Sequence, residues 1–213
     1  MIPVRVVVSS MLDPQQGSAA LIGAAADGTL AGWVGSLDVL PPQGSALEFG
    51  EDELLPLAPG CTEKEALHLV AAWPSWRVTE AASIEVGSRI LVIGTGSLGA
   101  KVAELSRWRG ALTGLSEVPR GEPRAPWDVV VFADGPVGLL ADATRACRTR
   151  GTVVLAGTYG AALDLNLYPD VHRRGLRIVC LAPYSLTPLA RSEWARTAPA
   201  LHRLLRRNLG AGP

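Results

Sequence analysis

The sequence lacks most of the features that mark a chain for a special environment. Its 213 residues hold only three cysteines (Cys61, Cys147, Cys180), and none lies in a C-x-x-C pair. That excludes a disulfide framework and suits a reducing compartment, so a cytoplasmic location is expected. The three histidines (His68, His172, His202) are scattered, and no His/Cys cluster has zinc spacing, which leaves Cys61 without a ligand partner. His68, among Leu67, Leu69 and Val70, reads as a helix residue, while His172 and His202 stand in Arg-rich helical segments and read as surface residues. Charge of one sign is also missing: 20 basic and 20 acidic side chains cancel. This removes the electrostatic footprint of a nucleic-acid partner. No apolar run is long enough to cross a bilayer, so no membrane partner is expected. The start, MIPVRVVVSS, has no basic segment ahead of a long apolar block and reads as no signal peptide. No Ser/His/Asp order, Cys/His pair or paired carboxylates points to hydrolysis.

What the chain does have is a 48 % apolar composition, enough for a real core in one domain or in one domain with a small appendage. Its most informative stretch is Arg89 to Arg109, RILVIGTGSLGAKVAELSRWR. An apolar, β-branched run (Arg89 to Ile93) meets a turn with Gly94, Gly96 and Gly99 in G-x-G-x-x-G spacing. A helical pattern follows, with Leu98, Val102 and Leu105 on one face. Strand, glycine turn and helix in that order suit a dinucleotide. Gly94 permits the tight turn, Gly96 lets a pyrophosphate approach the backbone, and Gly99 lets the helix lie close. The amides of the helix start, with the dipole behind them, then face an anion. The plainer account is a glycine-rich turn in some other α/β protein.

Elsewhere, residues 1 to about 57 look all-β, a module of three or four strands. Val4 to Val8 is one strand. Ala19 to Ala25 and Leu30 to Val34 flank an Asp27-Gly28 hairpin turn, and Leu47 to Leu57 is a further extended piece. Thr62 with Glu65 forms a capping box, and the helix it opens is interrupted at Pro74. The nucleotide unit continues with strands Ala111 to Leu115, Trp127 to Ala133, Gly151 to Ala156 and Leu176 to Leu181. Helical segments Pro136 to Cys147 and Leu165 to Arg174 lie between them, Val118 to Pro126 is loop, and Arg191 to Leu209 is a terminal helix.

This order of pieces resembles the medium-chain dehydrogenase/reductase family, which includes alcohol dehydrogenases and quinone reductases, over roughly Leu47 to Leu181. LLPLAPGCTEKEALHLVAA is similar to the strand and helix that lead into the family's nucleotide domain. IEVGSRILVIGTGSLGAKVAELSRWRGA is similar to its glycine-turn unit, and Asp128 to Gly135 to its next buried strand. TRGTVVLAGTYGAALDLNL and LRIVCLAPYS are similar to the two segments after that. The resemblance implies a Rossmann-like, doubly wound parallel sheet (residues 61–213) preceded by a small β module (residues 1–60), the remnant of the family's GroES-like barrel. It implies NAD or NADP as cofactor, without deciding between them.

The departures carry expectations of their own. Only about 57 residues precede the helix, with no GHE motif and no four-cysteine loop, so no zinc is expected. The nine residues Val118 to Pro126 are too few for the family's intervening helix, strand and helix. The sheet should therefore run 2-1-4-5-6, without one wall of the adenine pocket. The family's threonine near the nicotinamide falls on Pro74, or on Ser75 if shifted by one, and one Arg-rich helix replaces the return to the barrel.

The candidate cofactor residues are Gly94, Thr95, Gly96, Ser97, Leu98, Gly99, Glu117, Asp134, Gly157 and Thr158. Glu117, eighteen residues after Gly99, suits the ribose hydroxyls of NAD, whereas Arg120 and Arg124 suit the 2′-phosphate of NADP. Asp134 follows a strand and lines the crevice, or is simply a turn residue. Tyr159 and Tyr184 are the candidate proton donors. Pro183, Tyr184 and Ser185 resemble the segment whose backbone holds the carboxamide. Trp73 and Trp76 read either as a lid over a flat substrate or as core. The expected function is a zinc-independent, NAD(P)-dependent oxidoreductase acting on a carbonyl or activated alkene of a small molecule. Two alternatives stand beside it: a non-redox tailoring enzyme (cyclase or isomerase) of specialised metabolism, and a non-catalytic partner subunit. A homodimer is expected, with Ile2 to Val8 offering an edge for pairing.

Overall fold

Alternating apolar residues near the N-terminus build a first sheet. The computed structural model describes residues 1–13, 18–37, 39–50, 53–59, 61–116, 126–134, 137–157, 165–184 and 188–209. The chain divides into two compact units, Met1–Pro74 with Tyr184–Pro213, and Ser75–Pro183.

The first unit holds strands β1 (Ile2–Asp13), β2 (Ser18–Ala24), β3 (Leu30–Ser36), β4 (Ala46–Phe49) and β5 (Leu55–Pro56). They form an antiparallel sheet in the order β4-β1-β2-β3-β5. The Asp27-Gly28 turn closes the β2–β3 hairpin. Gly28 sits at φ +80°, and Oδ1 of Asp27 accepts the Thr29 amide at 2.9 Å. Among the described residues the sheet has five strands, more than the sequence suggests, because β4 and β5, both from the stretch read as one extended piece, lie at opposite edges. The expectation that Ile2 to Val8 is an open edge is corrected. Ile2 to Arg5 pairs with β4, Arg5 to Val8 pairs with β2, and Val6 exchanges backbone bonds with Ser45 and Gly44.

Helix α1 (Glu63–Ala81) opens on the expected capping box: the Thr62 amide donates to Glu65 Oε2 at 3.1 Å and the Glu65 amide to Thr62 Oγ1 at 3.3 Å. The predicted break at Pro74 does not occur, and the helix runs through it. Proline removes one helical donor and crowds the preceding turn at a cost of about 3 kcal/mol. Here every residue from 72 to 79 is buried, so packing on all sides outweighs that cost. Helix α4 (Pro188–Leu209) buries Trp194, Ala198, Leu201 and Leu205, a stripe of three- and four-residue steps. Its Trp194 indole donates to the Pro56 carbonyl at 2.7 Å and meets the Trp73 ring edge-on at 5.2 Å.

The second unit is a parallel sheet. Its strands are β6 (Arg89–Ile93), β7 (Leu112–Ser116), β8 (Trp127–Phe132), β9 (Cys147–Leu155) and β10 (Arg177–Cys180). Helices α2 (Ser97–Trp108) and α3 (Leu140–Ala146) and a π-helical turn (Leu167–His172) connect them. The order β10-β9-β8-β6-β7 is the expected 2-1-4-5-6. Central strands β6 and β8 are buried almost throughout, as a sheet with covered faces requires. Leu91, Ile93, Val130, Phe132, Leu140, Ala143, Val153 and Leu155 form one core cluster. Strand β9 begins at Cys147, earlier than the glycine at 151 suggests, with a register shift opposite Trp127 and Val129. Two charged groups tie down the sheet's amino end. Asp128 accepts the Arg89 amide at 2.8 Å and the Arg148 Nε at 2.5 Å, while Arg174 donates to the carbonyls of Thr144 and Cys147.

Candidate functional site

Parallel register lines up the carboxyl ends of the strands. Ser116 stands opposite Ile93, Ile93 opposite Phe132, Phe132 opposite Leu155, and Leu155 opposite Cys180. The residues that follow, Gly94, Asp134 and Gly157 among them, are therefore delivered to one edge. In open parallel sheets that edge is where ligands bind.

Gly94 has φ +110°, a conformation closed to residues with a Cβ, and its amide donates to the Ser116 carbonyl at 2.9 Å. A Cβ on Gly99 would stand 2.0 Å from the Gly94 carbonyl oxygen, so helix α2 packs on the turn as closely as glycine allows. Gly96 is the N-cap of α2, and no side chain among the described residues caps it. The first helical bond runs from the Ala100 amide to the Gly96 carbonyl at 2.9 Å. The amides of Ser97, Leu98 and Gly99 thus precede the helical ladder, with the positive end of the helix behind them. Thr95, Gly96 and Ser97 are exposed; Leu98 and Gly99 are buried.

Asp134, a candidate from its place after a strand, has a partner that the sequence does not show. Its Oδ2 accepts the Gly96 amide at 3.1 Å. A Cβ on Gly94 would meet Asp134 Oδ1 at 1.7 Å, and one on Gly96 would meet Oδ2 at 2.2 Å. The room these glycines leave is taken by the chain's own carboxylate, an anion placed where a pyrophosphate is expected.

Gly157 follows β9 and is half-buried. Glu117, Arg120, Arg124, Thr158, Tyr159 and Ser185 lie outside the described residues. Tyr184 is half-buried and belongs to the first unit. The segment just before it is held by Arg77, 7 % exposed, whose guanidinium donates to the carbonyls of Ala182 at 3.1 Å and Pro183 at 3.0 Å. No sequence signal singled Arg77 out: a buried arginine inside a helix shows only when its carbonyl partners are seen.

Trp73 and Trp76 are core side chains, 1 % and 6 % exposed, which favours the core reading over the lid. Arg109 lies over the Trp76 ring at 4.9 Å and pairs with Glu80 at 2.6 Å.

A second grouping corrects the reading of Cys61 as partnerless. In the first unit, ligand atoms of Cys61, Glu65 and His202 lie within 4.8 Å of one another. His202, expected at the surface, is half-buried, and its Nε2 is buried without a hydrogen-bond partner among the described residues. Glu65 is held below the usual carboxylate range, first by the Thr62 amide and hydroxyl and then by Arg206. Burial pushes the Cys61 thiol up, as does Glu65.

No protein-family model matches the sequence, and no curated protein is similar to it. Solved structures are similar in fold, and 292 chains match. The yhdH oxidoreductase from Salmonella enterica, in complex with NADP, superposes with a TM-score of 0.71 at 16 % identity, covering 95 % of this chain and 82 % of that one. Protein yhfP from Bacillus subtilis, with NAD bound, gives 0.67 at 18 %, covering 96 % and 80 %. A provisionally assigned zinc-binding dehydrogenase (gutB) from Clostridium scindens gives 0.55 at 16 %, covering 71 % of this chain; the chain spans about half, 51 %, of its length.

Proposed function

We propose that this chain, which has the fold of medium-chain dehydrogenase/reductase structures, binds a nicotinamide dinucleotide at the Gly94–Gly99 bend and is an oxidoreductase. Its substrate is a carbonyl or activated alkene of a small molecule, and its redox step uses no zinc. The observation that carries the reading is the glycine bend at the carboxyl edge of the sheet, with Gly94 at φ +110° and Gly99 packed against it. The similar structures with NADP and with NAD support it.

The residues present fit the group, on one condition. The amides of Ser97, Leu98 and Gly99 suit a diphosphate, and Gly96 supplies a further donor once the Asp134 carboxylate gives way. When bound, the nicotinamide supplies the two-electron chemistry, and the protein supplies orientation and a proton. Glu117, after β7, holds the ribose hydroxyls if the cofactor is NAD; Arg120 and Arg124 hold the 2′-phosphate if it is NADP. Gly157 and Thr158 border the cofactor at the end of β9, and Tyr159 or Tyr184 carries the proton. Arg77 is a positioning residue that fixes Ala182 and Pro183. The working form is a homodimer.

Titration calorimetry with NADH and NADPH tests this. Saturable one-to-one binding of either is expected, with loss in Gly96→Val, whose side chain fills the mouth of the bend. Silence with both cofactors overturns the reading. One observation favours a second reading, a non-redox cyclase or isomerase: the Asp134 carboxylate already sits on the Gly96 amide. That enzyme turns over without nicotinamide.

A further inference from the structure

The head of α1 and the last turns of α4 bring together a thiol, a carboxylate and an imidazole. His202 Nε2 stands 4.0 Å from Glu65 Oε1, and Cys61 Sγ completes a trio within 4.8 Å. A tetrahedral zinc with bonds of about 2.0–2.3 Å holds its donors roughly 3.3–3.7 Å apart. The trio therefore needs to close by about 1 Å, within reach of side-chain adjustment. The buried Nε2, without a hydrogen-bond partner among the described residues, is the telling atom. A buried polar nitrogen with no partner costs stability, and a cation is one group that satisfies it. Glu65 keeps a role in the cap: Oε2 accepts the Thr62 amide and hydroxyl, each at 3.1 Å. Its Oε1 faces His202 and accepts the Arg206 guanidinium at 2.8 Å, so a positive group already sits beside the position a metal takes.

We infer that Cys61, Glu65 and His202 form a three-ligand site for a borderline divalent cation of the zinc class, open at its fourth position. The donor set fits such an ion: one soft sulfur, one imidazole nitrogen and one carboxylate oxygen. Glu65 and His202, with Thr62, Lys64, His68, Leu205 and Arg206, line a surface pocket of about 540 Å³, and the open fourth position is assigned to that side. On binding, the Cys61 thiol gives its proton to solvent and the Cys61–metal bond forms, with no change of oxidation state. Arg206 swings off Oε1. The site lies in the first unit and serves to fasten α4 to the head of α1. It is separate from the redox reading, which invokes no zinc.

The test uses the reduced full chain with Co²⁺ and Zn²⁺ as probes. Co²⁺ is expected to bind one to one, with thiolate-to-metal charge-transfer absorption and the visible bands of a four-coordinate ion. Zn²⁺ is expected to displace it and to raise Tm. Cys61→Ser abolishes the charge-transfer band, and His202→Ala weakens uptake severely. Cys180→Ser changes nothing. Arg206→Gln tightens binding by up to about fivefold, the value of an exposed ion pair removed from the competition. Because Cys61→Ser also touches the cap of α1, a readout on the unaltered chain stands beside it. Zn²⁺ should protect Cys61, and not Cys180, from alkylation mapped by mass spectrometry. A charge-transfer band that survives Cys61→Ser, or no stoichiometric uptake and no protection of Cys61, overturns the site. NADH and NADPH titrations of the metal-free chain keep this outcome distinct from that of the oxidoreductase reading.

Discussion

Replacing Asp134 by Asn should strengthen nucleotide binding. The carboxylate accepts the Gly96 amide at 3.1 Å, so a phosphate oxygen seeking that amide comes within about 4 Å of a like charge. At that separation two unit charges repel by ~1 kcal/mol in bulk water and ~4 kcal/mol at the effective dielectric of a protein surface. Thr95, Gly96 and Ser97 are exposed, which places the site toward the weaker end. A net gain of about 1–2 kcal/mol is expected, a Kd lowered roughly five- to thirtyfold. Asn has nearly the same shape and keeps an oxygen for the Gly96 amide, so the bend itself should survive. Calorimetry with the cofactor that the unaltered chain prefers, at low and high salt, measures the effect. The difference between the two proteins should shrink as salt screens the charge. An unchanged Kd refutes the competition. A weaker Kd shows instead that the carboxylate is a cofactor ligand.

Other substitutions probe the same frame. Gly99→Ala places a methyl 2.0 Å from the Gly94 carbonyl; a loss of about 1–3 kcal/mol in denaturant unfolding and loss of nucleotide binding are expected, and an unperturbed variant would contradict the packing of α2 on the turn. The Arg89 amide, then Arg148, hold the Asp128 carboxyl below its ordinary value of 3.8. Because the folded value is the lower one, this contribution is present above about pH 4 and fades as pH falls through the folded value. With about a third of that side chain exposed, screening limits it to the order of 1 kcal/mol. Urea midpoints at pH 7 and pH 3 should therefore differ less for Asp128→Asn than for the unaltered chain, and equal gaps would remove Asp128 from the account.

The parts of the fold legible in the sequence were those fixed over a few neighbouring residues. The β6 run, the glycine spacing and the α2 face at Leu98, Val102 and Leu105 all follow from local periodicity, as do the Thr62–Glu65 cap and the Asp27-Gly28 turn. The sheet order follows from the family resemblance, less the strand for which the stretch after β7 is too short. What stayed hidden depends on distant pairs. Asp134 reaches Gly96 across 38 residues, Arg77 reaches Pro183 across 106, and Arg206 reaches Glu65 across 141. Pro74 reads as a break because its local cost is visible in sequence and the burial that outweighs it is not.

The first unit draws on both flanks of the second, taking residues up to Pro74 and again from Tyr184. A ribosome therefore releases the β-rich segment long before the helix whose Trp194 binds the Pro56 carbonyl. The nascent sheet must wait, with apolar surface uncovered, while the intervening Rossmann-like segment is made and collapses as one continuous stretch. Truncations within α4 should thus injure the sheet made well before it, and chaperone dependence should fall on that early sheet.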